Sequence, residues 1–512
     1  MPQLITPFLG GFYQSRARVL QDQRAVNLYV ETVDTQDGKM PGALYSTPGL
    51  TLISATEAGP WRALHPMGDG SLYGIHSNLL VQINGTFKTS VLGQIASDKG
   101  PLYVVDDGLQ LLIVDGVKAY GYDIGSNHFA EIELPFSSGQ PIVAAYQDGF
   151  FLINQTGTQE WWQSEIHNVF KWDALNFGSK SGQPDPIVTI IDNRREVWLL
   201  GSRTTEVWIN AGVPGFTFQK LQGVFIQEGC VAPHSAVVAS SSVIWLGQSK
   251  EGNGIVFQAK GYIPERISTH ALEMVMQSYA QISDAFAATY QQEGHTFYIL
   301  QFPSADATWC YDLTTGLWHE RASFSNGHFH RHWLNCCAPF KGMILVGDYQ
   351  NGNLYAFDLN AYDDNGQTLK RLRSWPAYPM NHTTLNRDNF DQLILYTQPG
   401  GRLQCGPPIR VLQSSDDDWR VLQSADTDVR VLSGVPDPNC EDPQYMLRWS
   451  DNGGQSWSHE RWASAGKIGD YKQRIVWNRL GSGRDRIFEI SCTDPIPIRW
   501  AGAFVTARPG TS

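Results

Sequence analysis

No run of five or more basic residues occurs anywhere in the chain, and Lys plus Arg (38) fall short of Asp plus Glu (50), a net charge of −12. A basic cradle for nucleic-acid phosphates is excluded on that ground. Charged residues are scarce at 17%, against about 25% in ordinary soluble proteins, while apolar residues reach 42%, so bulk disorder is excluded too. Met1 to Gly11 has neither a basic start nor a long apolar stretch, which predicts no secretory signal and no membrane span. Cysteine is thin: Cys230, Cys310, Cys336, Cys337, Cys405, Cys440 and Cys492 are odd in number and form no CxxC pair, the pattern of reduced thiols in a protein assembled in cytosol. G-x-S-x-G, a Gly-rich phosphate loop, H-E-x-x-H and the kinase set are all missing, so no catalytic residue and no cofactor is predicted.

What the chain has in abundance is short β-type runs closed by tight turns. Ser71–Ile75 follows Asp69-Gly70, Leu80–Ile83 precedes Asn84-Gly85, and Leu109–Val114 lies between Asp107-Gly108 and Asp115-Gly116. Each reads as strand, tight turn, strand. Glu196–Leu200 and Glu206–Ile209 are near-identical strands around Gly201-Ser202, and the rhythm runs on to Gly352–Phe357. One helix interrupts it: Arg266-Ile-Ser-Thr269 offers hydroxyl N-caps ahead of Ala271–Gln277.

An open twisted sheet rarely exceeds about ten strands, so this many must close or split. The predicted architecture is therefore all-β: a β-propeller of six or seven blades over residues 51–385, with an N-terminal arm over 1–50 and a smaller C-terminal β domain over 386–512. Two stacked sandwiches are the alternative. The boundary near 385 rests on Pro376 and Pro379, each lacking the backbone donor that a central strand needs. Beyond it a ten-residue repeat over 409–433 places Arg410, Arg420 and Arg430 in register. Its acidic turns, 415–418 and 425–428, read as an inserted meander or, less simply, as calcium-binding turns.

Two motifs invite chemistry. Ser450-Asp-Asn-Gly-Gly-Gln-Ser-Trp457 is an Asp-box, in which Ser450, Asn452, Gly454 and Trp457 build a self-bonded hairpin turn. It resembles the Asp-boxes of sialidase propellers, where they are structural and recur. Here one is found, and the glycan-binding or sialidase-like reading has only this and the aromatic richness behind it. His328, His330 and His332 alternate, which on a strand puts three imidazoles on one face with Cys336 and Cys337 nearby. A solvated strand accounts for the same spacing, and no metal is assigned.

Residues Gly466 to Glu489 carry, in order, Gly469, Tyr471, Arg474, Trp477, Arg479, Gly481, Arg484 and Arg486. This segment resembles the closing motif of packaged-DNA stabilisation proteins, the tail hubs of short-tailed bacteriophages. Gln23–Tyr29, Thr47–Gly49, Glu206–Trp208, Arg266–Thr269, Glu293–His295, Tyr311-Asp312 and Trp318–Arg321 agree with that family, so the resemblance covers residues 10 to 500. It implies a non-enzymatic virion protein, made in the host cytoplasm, that forms a homo-hexameric ring beneath portal and adaptor. It further implies that the ring closes the tail channel, retains DNA without sequence-specific binding, and supports tailspike or fibre and needle or plug proteins. The arginine repeat is not part of the family pattern. A net charge of −12 is compatible with a bore that repels DNA, and the closing-motif arginines are candidates either to clamp a neighbouring subunit's carboxylates or to knit their own domain.

Overall fold

The computed structural model describes residues 3–5, 7–18, 21–33, 40–56, 59–248, 252–377, 386–397, 412–413, 419–420, 443–466 and 474–510. The chain divides into two compact units, one of residues 50–323 with 328–358 and the other of 1–49, 324–327 and 359–512.

The first unit is a propeller with seven antiparallel sheets among the described residues. The first blade runs Trp61–Pro66, Leu72–His76, Leu79–Ile83 and Thr89–Gln94, and five further blades follow in chain order. The seventh takes three strands, Leu334–Phe340, Met343–Asp348 and Leu354–Asp358, and borrows its outer one, Gly49–Ser54, from ahead of the first blade. That clasp ties the last blade to the start of the ring. The innermost strands follow each other around an axis, and Leu334–Phe340 packs back against Trp61–Pro66. The sequence predicts six or seven blades, and the described residues form seven.

Tryptophan seals the blades. Trp61, Trp161, Trp198, Trp245 and Trp318 are all at most 1% exposed, and each large ring removes about 150–250 Å² from water. Their indole N–H groups are spent on backbone where a partner is at hand: Trp61 donates to Gly352 O (3.0 Å), Trp245 to Gly229 O (3.1 Å) and Trp318 to Ile267 O (2.8 Å). Trp61 lies in the cluster of Leu72, Val81, Phe340, Leu345 and Leu354 that joins the first blade to the seventh. Gly74 has no room for a side chain there, since a Cβ would sit 2.7 Å from the Trp61 ring.

The predicted helix is present as α1, His270–Gln277, inserted between the fifth and sixth blades. Thr269 caps it, its hydroxyl accepting from Leu272 N–H (3.3 Å). Glu273 in the first turn is buried, where Ser268 Oγ and Arg266 Nε both donate to its Oε1 (2.6 Å each). Thr269→Ala should lower stability by about 1 kcal/mol, read as a shift in the urea midpoint at unchanged slope.

The second unit is a β-sandwich. One sheet orders Leu28–Thr32, Gly42–Ser46, Arg499–Pro509, Asp388–Thr397 and Ile475–Gly483, with Gln3–Ile5 also on Arg499–Pro509. Facing it, Tyr13–Gln14, Asp22–Val26, Arg371–Pro376, Ile487–Cys492, Gln444–Ser450 and Arg461–Ser464 pair in sequence. Aromatic rings fill the space between: Phe8 meets Trp375 edge-on at 4.8 Å, Phe390 meets Phe488 at 5.6 Å, and Tyr445 meets Trp500 at 5.5 Å.

This arrangement corrects the predicted organisation at both ends. Residues 1–49 are not an arm; their alternating Gln23-Arg-Ala-Val26 and Leu28-Tyr-Val30 runs supply strands to both sandwich sheets. The unit boundary falls after Asp358 and not near 385, because Arg371–Pro376 is a sandwich strand and Pro376 merely ends it. Of the arginine repeat, Leu412–Gln413 pairs with Trp419–Arg420 as a short ladder. Arg410, Arg430 and the acidic turns lie outside the described residues.

Candidate assembly surfaces

The Asp-box closes as its sequence demands. Ser450, 1% exposed, accepts at Oγ from Gly454 N–H (2.9 Å) and donates to Asn452 Oδ1 (2.8 Å), which also accepts from Ser456 N–H (2.9 Å). Gly453 and Gly454 take φ of 68° and 79°, conformations that cost side-chain-bearing residues about 1–2 kcal/mol each. Trp457 lies under the Arg448 guanidinium (4.7 Å), which is held in turn by Glu489 (2.6 Å).

This turn is also the anchor of the closing motif. Arg486 forks onto both oxygens of Asp451 (2.7 and 2.8 Å), donates to Leu480 O (2.6 Å), and lies over the rings of Phe390 (4.5 Å) and Trp449 (5.1 Å). It is 1% exposed, so this arginine knits its own domain and is closed to any neighbour. Trp477 is internal as well, donating to Arg461 O (2.9 Å). Arg461 reaches back to Asn478 O and Arg479 O (2.8 and 3.0 Å), fixing the bend where Arg479 and Gly481 have φ of 58° and 77°.

The remaining arginines behave differently. Arg474, Arg479 and Arg484 are exposed, and their side chains have no partner among the described residues. The motif thus divides into a buried clamp and an exposed, cationic fringe. Gly469 and Tyr471 lie outside the described residues.

Two buried arginines were not legible as site residues. Arg371 donates to Tyr362 O, Leu369 O, Asp494 O and Ile496 O at 2.6 to 3.0 Å. Arg373 donates to Phe8 O (2.7 Å), Gly11 O (3.1 Å), Arg24 O (3.2 Å) and Gln23 Oε1 (2.5 Å). Burial without a facing carboxylate pushes its guanidinium down to about 9. The available signal was Arg371-Leu-Arg373 inside an otherwise apolar strand.

The histidine run does not converge. His328 is exposed, His330 Nδ1 pairs with Asp306 (2.8 Å), and His332 lies past the strand end, turned inward at 1% exposure with Nδ1 accepting from Leu334 N–H (3.1 Å). Cys337 Sγ faces Thr289 O (3.7 Å) and burial raises its thiol to about 12. Among the described residues no three His, Cys, Asp or Glu side chains gather at metal-binding distance, and no helix is long and apolar enough to cross a membrane.

Inner strands of five blades border an open cavity of ≈ 450 Å³, lined among others by Ala63, His65, Val104, Val237, Ala288 and Cys336.

Against known proteins, a family model described as bacteriophage P22 Gp10, beta-propeller, matches residues 5–362, and one described as bacteriophage P22 Gp10, beta-sandwich, matches residues 414–508. No curated protein sequence matches. Similar solved structures include the computationally designed Ika8 protein, at 12% identity over 60% of this chain and 100% of that one (TM-score 0.34). A chain of a mitotic checkpoint complex aligns at 10% identity over 64% and 98% (TM-score 0.39). The extracellular domain of the putative hybrid two-component system BT4673 from B. thetaiotaomicron aligns at 10% over 86% and 58% (TM-score 0.41). These structural likenesses are too weak to argue from. The two family models, however, name the two folds described above, and the first alone spans more than half of the sequence: this chain belongs to the bacteriophage P22 Gp10 family, structural proteins of the phage tail.

Proposed function

We infer that the protein is the tail hub subunit that closes the channel after genome packaging and retains the DNA, acting by assembly and steric closure. The division within the closing motif carries this reading: Arg486 is locked inside the sandwich, while Arg474, Arg479 and Arg484 project without partners among the described residues. Arginine forks match carboxylates bidentately, and a chain of net charge −12 supplies carboxylates on its own copies and leaves the fringe suited to head-to-tail contacts. A homo-hexameric ring uses such contacts. In this reading the conduit runs between copies and not through a propeller. An acidic conduit wall fits easy ejection, because each phosphate neutralised by a basic residue adds affinity that opposes movement. Portal and adaptor on one side, and tailspike or fibre and needle or plug on the other, are the proposed neighbours.

The test is electron microscopy and DNA quantification of particles assembled without this protein. Heads that package and then lose their DNA are the expected result. Full, stable tailed particles overturn the hub reading.

A further inference from the structure

Five of the propeller's seven inner hairpins turn on two consecutive residues with positive φ. In three of them the second residue is glycine: Asp148-Gly149, Glu293-Gly294 and Lys341-Gly342. The neighbouring fourth and fifth blades instead use Arg194-Arg195 (φ 55° and 64°) and Ser240-Ser241 (φ 48° and 61°). Each non-glycine residue there carries a strain of about 1–2 kcal/mol, and strain retained without glycine points to side chains wanted at that place.

Between these two turns lies a cleft of ≈ 370 Å³, near the lower end of the about 300–1,000 Å³ typical of small-ligand pockets. Its floor is Trp198, and Tyr262, 39% exposed, stacks on it at 6.1 Å and 28°. Glu196 holds the pair in place: Tyr262 Oη donates to Oε1 (2.5 Å) and Trp198 Nε1 to Oε2 (3.3 Å). Both carboxylate oxygens are thereby engaged within the protein. At the rim the Arg194 guanidinium and the Ser240 and Ser241 hydroxyls have no partner among the described residues.

A fixed aromatic plane edged by donors selects a ligand with a flat, weakly polar face, hydroxyl acceptors at its edge, and an anionic group for the guanidinium. We propose that this cleft binds an acidic saccharide, one pyranose ring against Tyr262 and its carboxylate on Arg194. The proposal is one of binding alone, with Glu196 fixing the aromatic pair. It stands apart from the hub reading, and either can fail without the other.

Saturation-transfer NMR on the purified full chain, with a galacturonic-acid disaccharide and a neutral galactose disaccharide as probes, tests it. The acidic sugar should receive saturation and bind at least about tenfold more tightly than the neutral one. Tyr262→Ala and Arg194→Asn should each weaken it by about tenfold or more, while Tyr262→Phe, which keeps the ring, should retain binding. Both positions are on exposed turns, and an unchanged melting temperature confirms that each variant is folded. No saturation transfer, equal transfer in Tyr262→Ala, or equal binding of the neutral sugar overturns the proposal.

Discussion

Arg373→Met is expected to destabilise the sandwich by about 3–5 kcal/mol, because several buried oxygens lose their donor at a cost of about 1–3 kcal/mol each. The guanidinium is fully buried and feeds Phe8 O, Gly11 O, Arg24 O and Gln23 Oε1. Methionine matches much of its volume and none of its donors, so those oxygens lose their partner in a place water does not reach. Arg373→Lys should recover little, because three donors on one nitrogen cannot span oxygens that the planar fork serves in different directions. Residues 7–11 should loosen first, as their carbonyls are held from this one side chain. The measurement is a urea titration combined with limited proteolysis near the N-terminus. An unchanged midpoint and unchanged cleavage would rule out the anchoring role.

Acid should unfold the propeller well before its carboxylates alone would require. His319 and His332 are 2% and 1% exposed, and burial with the nearby Arg321 cation drives His319 down to about 3 and His332 far below its ordinary value. An unfolded histidine takes its proton near pH 6.5, so below that the unfolded chain binds protons that the native state refuses. Stability therefore falls as pH falls from about 6.5 toward 3, by about 1.4 kcal/mol per pH unit for each histidine, and about 4 kcal/mol for the pair at pH 5. His319→Gln or His332→Gln should each remove one proton from the uptake on unfolding, whatever it does to stability at neutral pH. Urea midpoints at several pH values give that slope, and equal slopes in wild type and both variants would refute the assignment.

Much of the propeller was legible because its turns advertise themselves. Asp-Gly pairs mark hairpins by the positive φ that Gly70, Gly108, Gly116 and Gly149 adopt, and the strands between them stand where the alternation puts them. The turns at Arg194-Arg195 and Ser240-Ser241 adopt positive φ at both residues without a glycine to signal it, so those hairpins had to be inferred from the strands alone. The sandwich was hidden for a different reason. Asp22–Val26 pairs with Arg371–Pro376, some 350 residues away, and nothing local in either strand names its partner. Arg371 and Arg373 also break the strand's apolar pattern, which reads as a surface edge until backbone carbonyls are seen around them. In the closing motif the arginines were recognisable as a group. Their division into one buried clamp and three exposed cations depends on Asp451 and Phe390, residues outside the motif.

The borrowed outer strand of the seventh blade sets a timetable for synthesis. Gly49–Ser54 leaves the ribosome early, yet its partner Leu354–Asp358 emerges some 300 residues later, so six blades can form while the wheel stays unclosed. Closing so long a loop is slow though not much costlier than a shorter one. A chain stopped before Leu354 would keep an unpaired strand at each end of its arc, the edges that invite another copy to fill them.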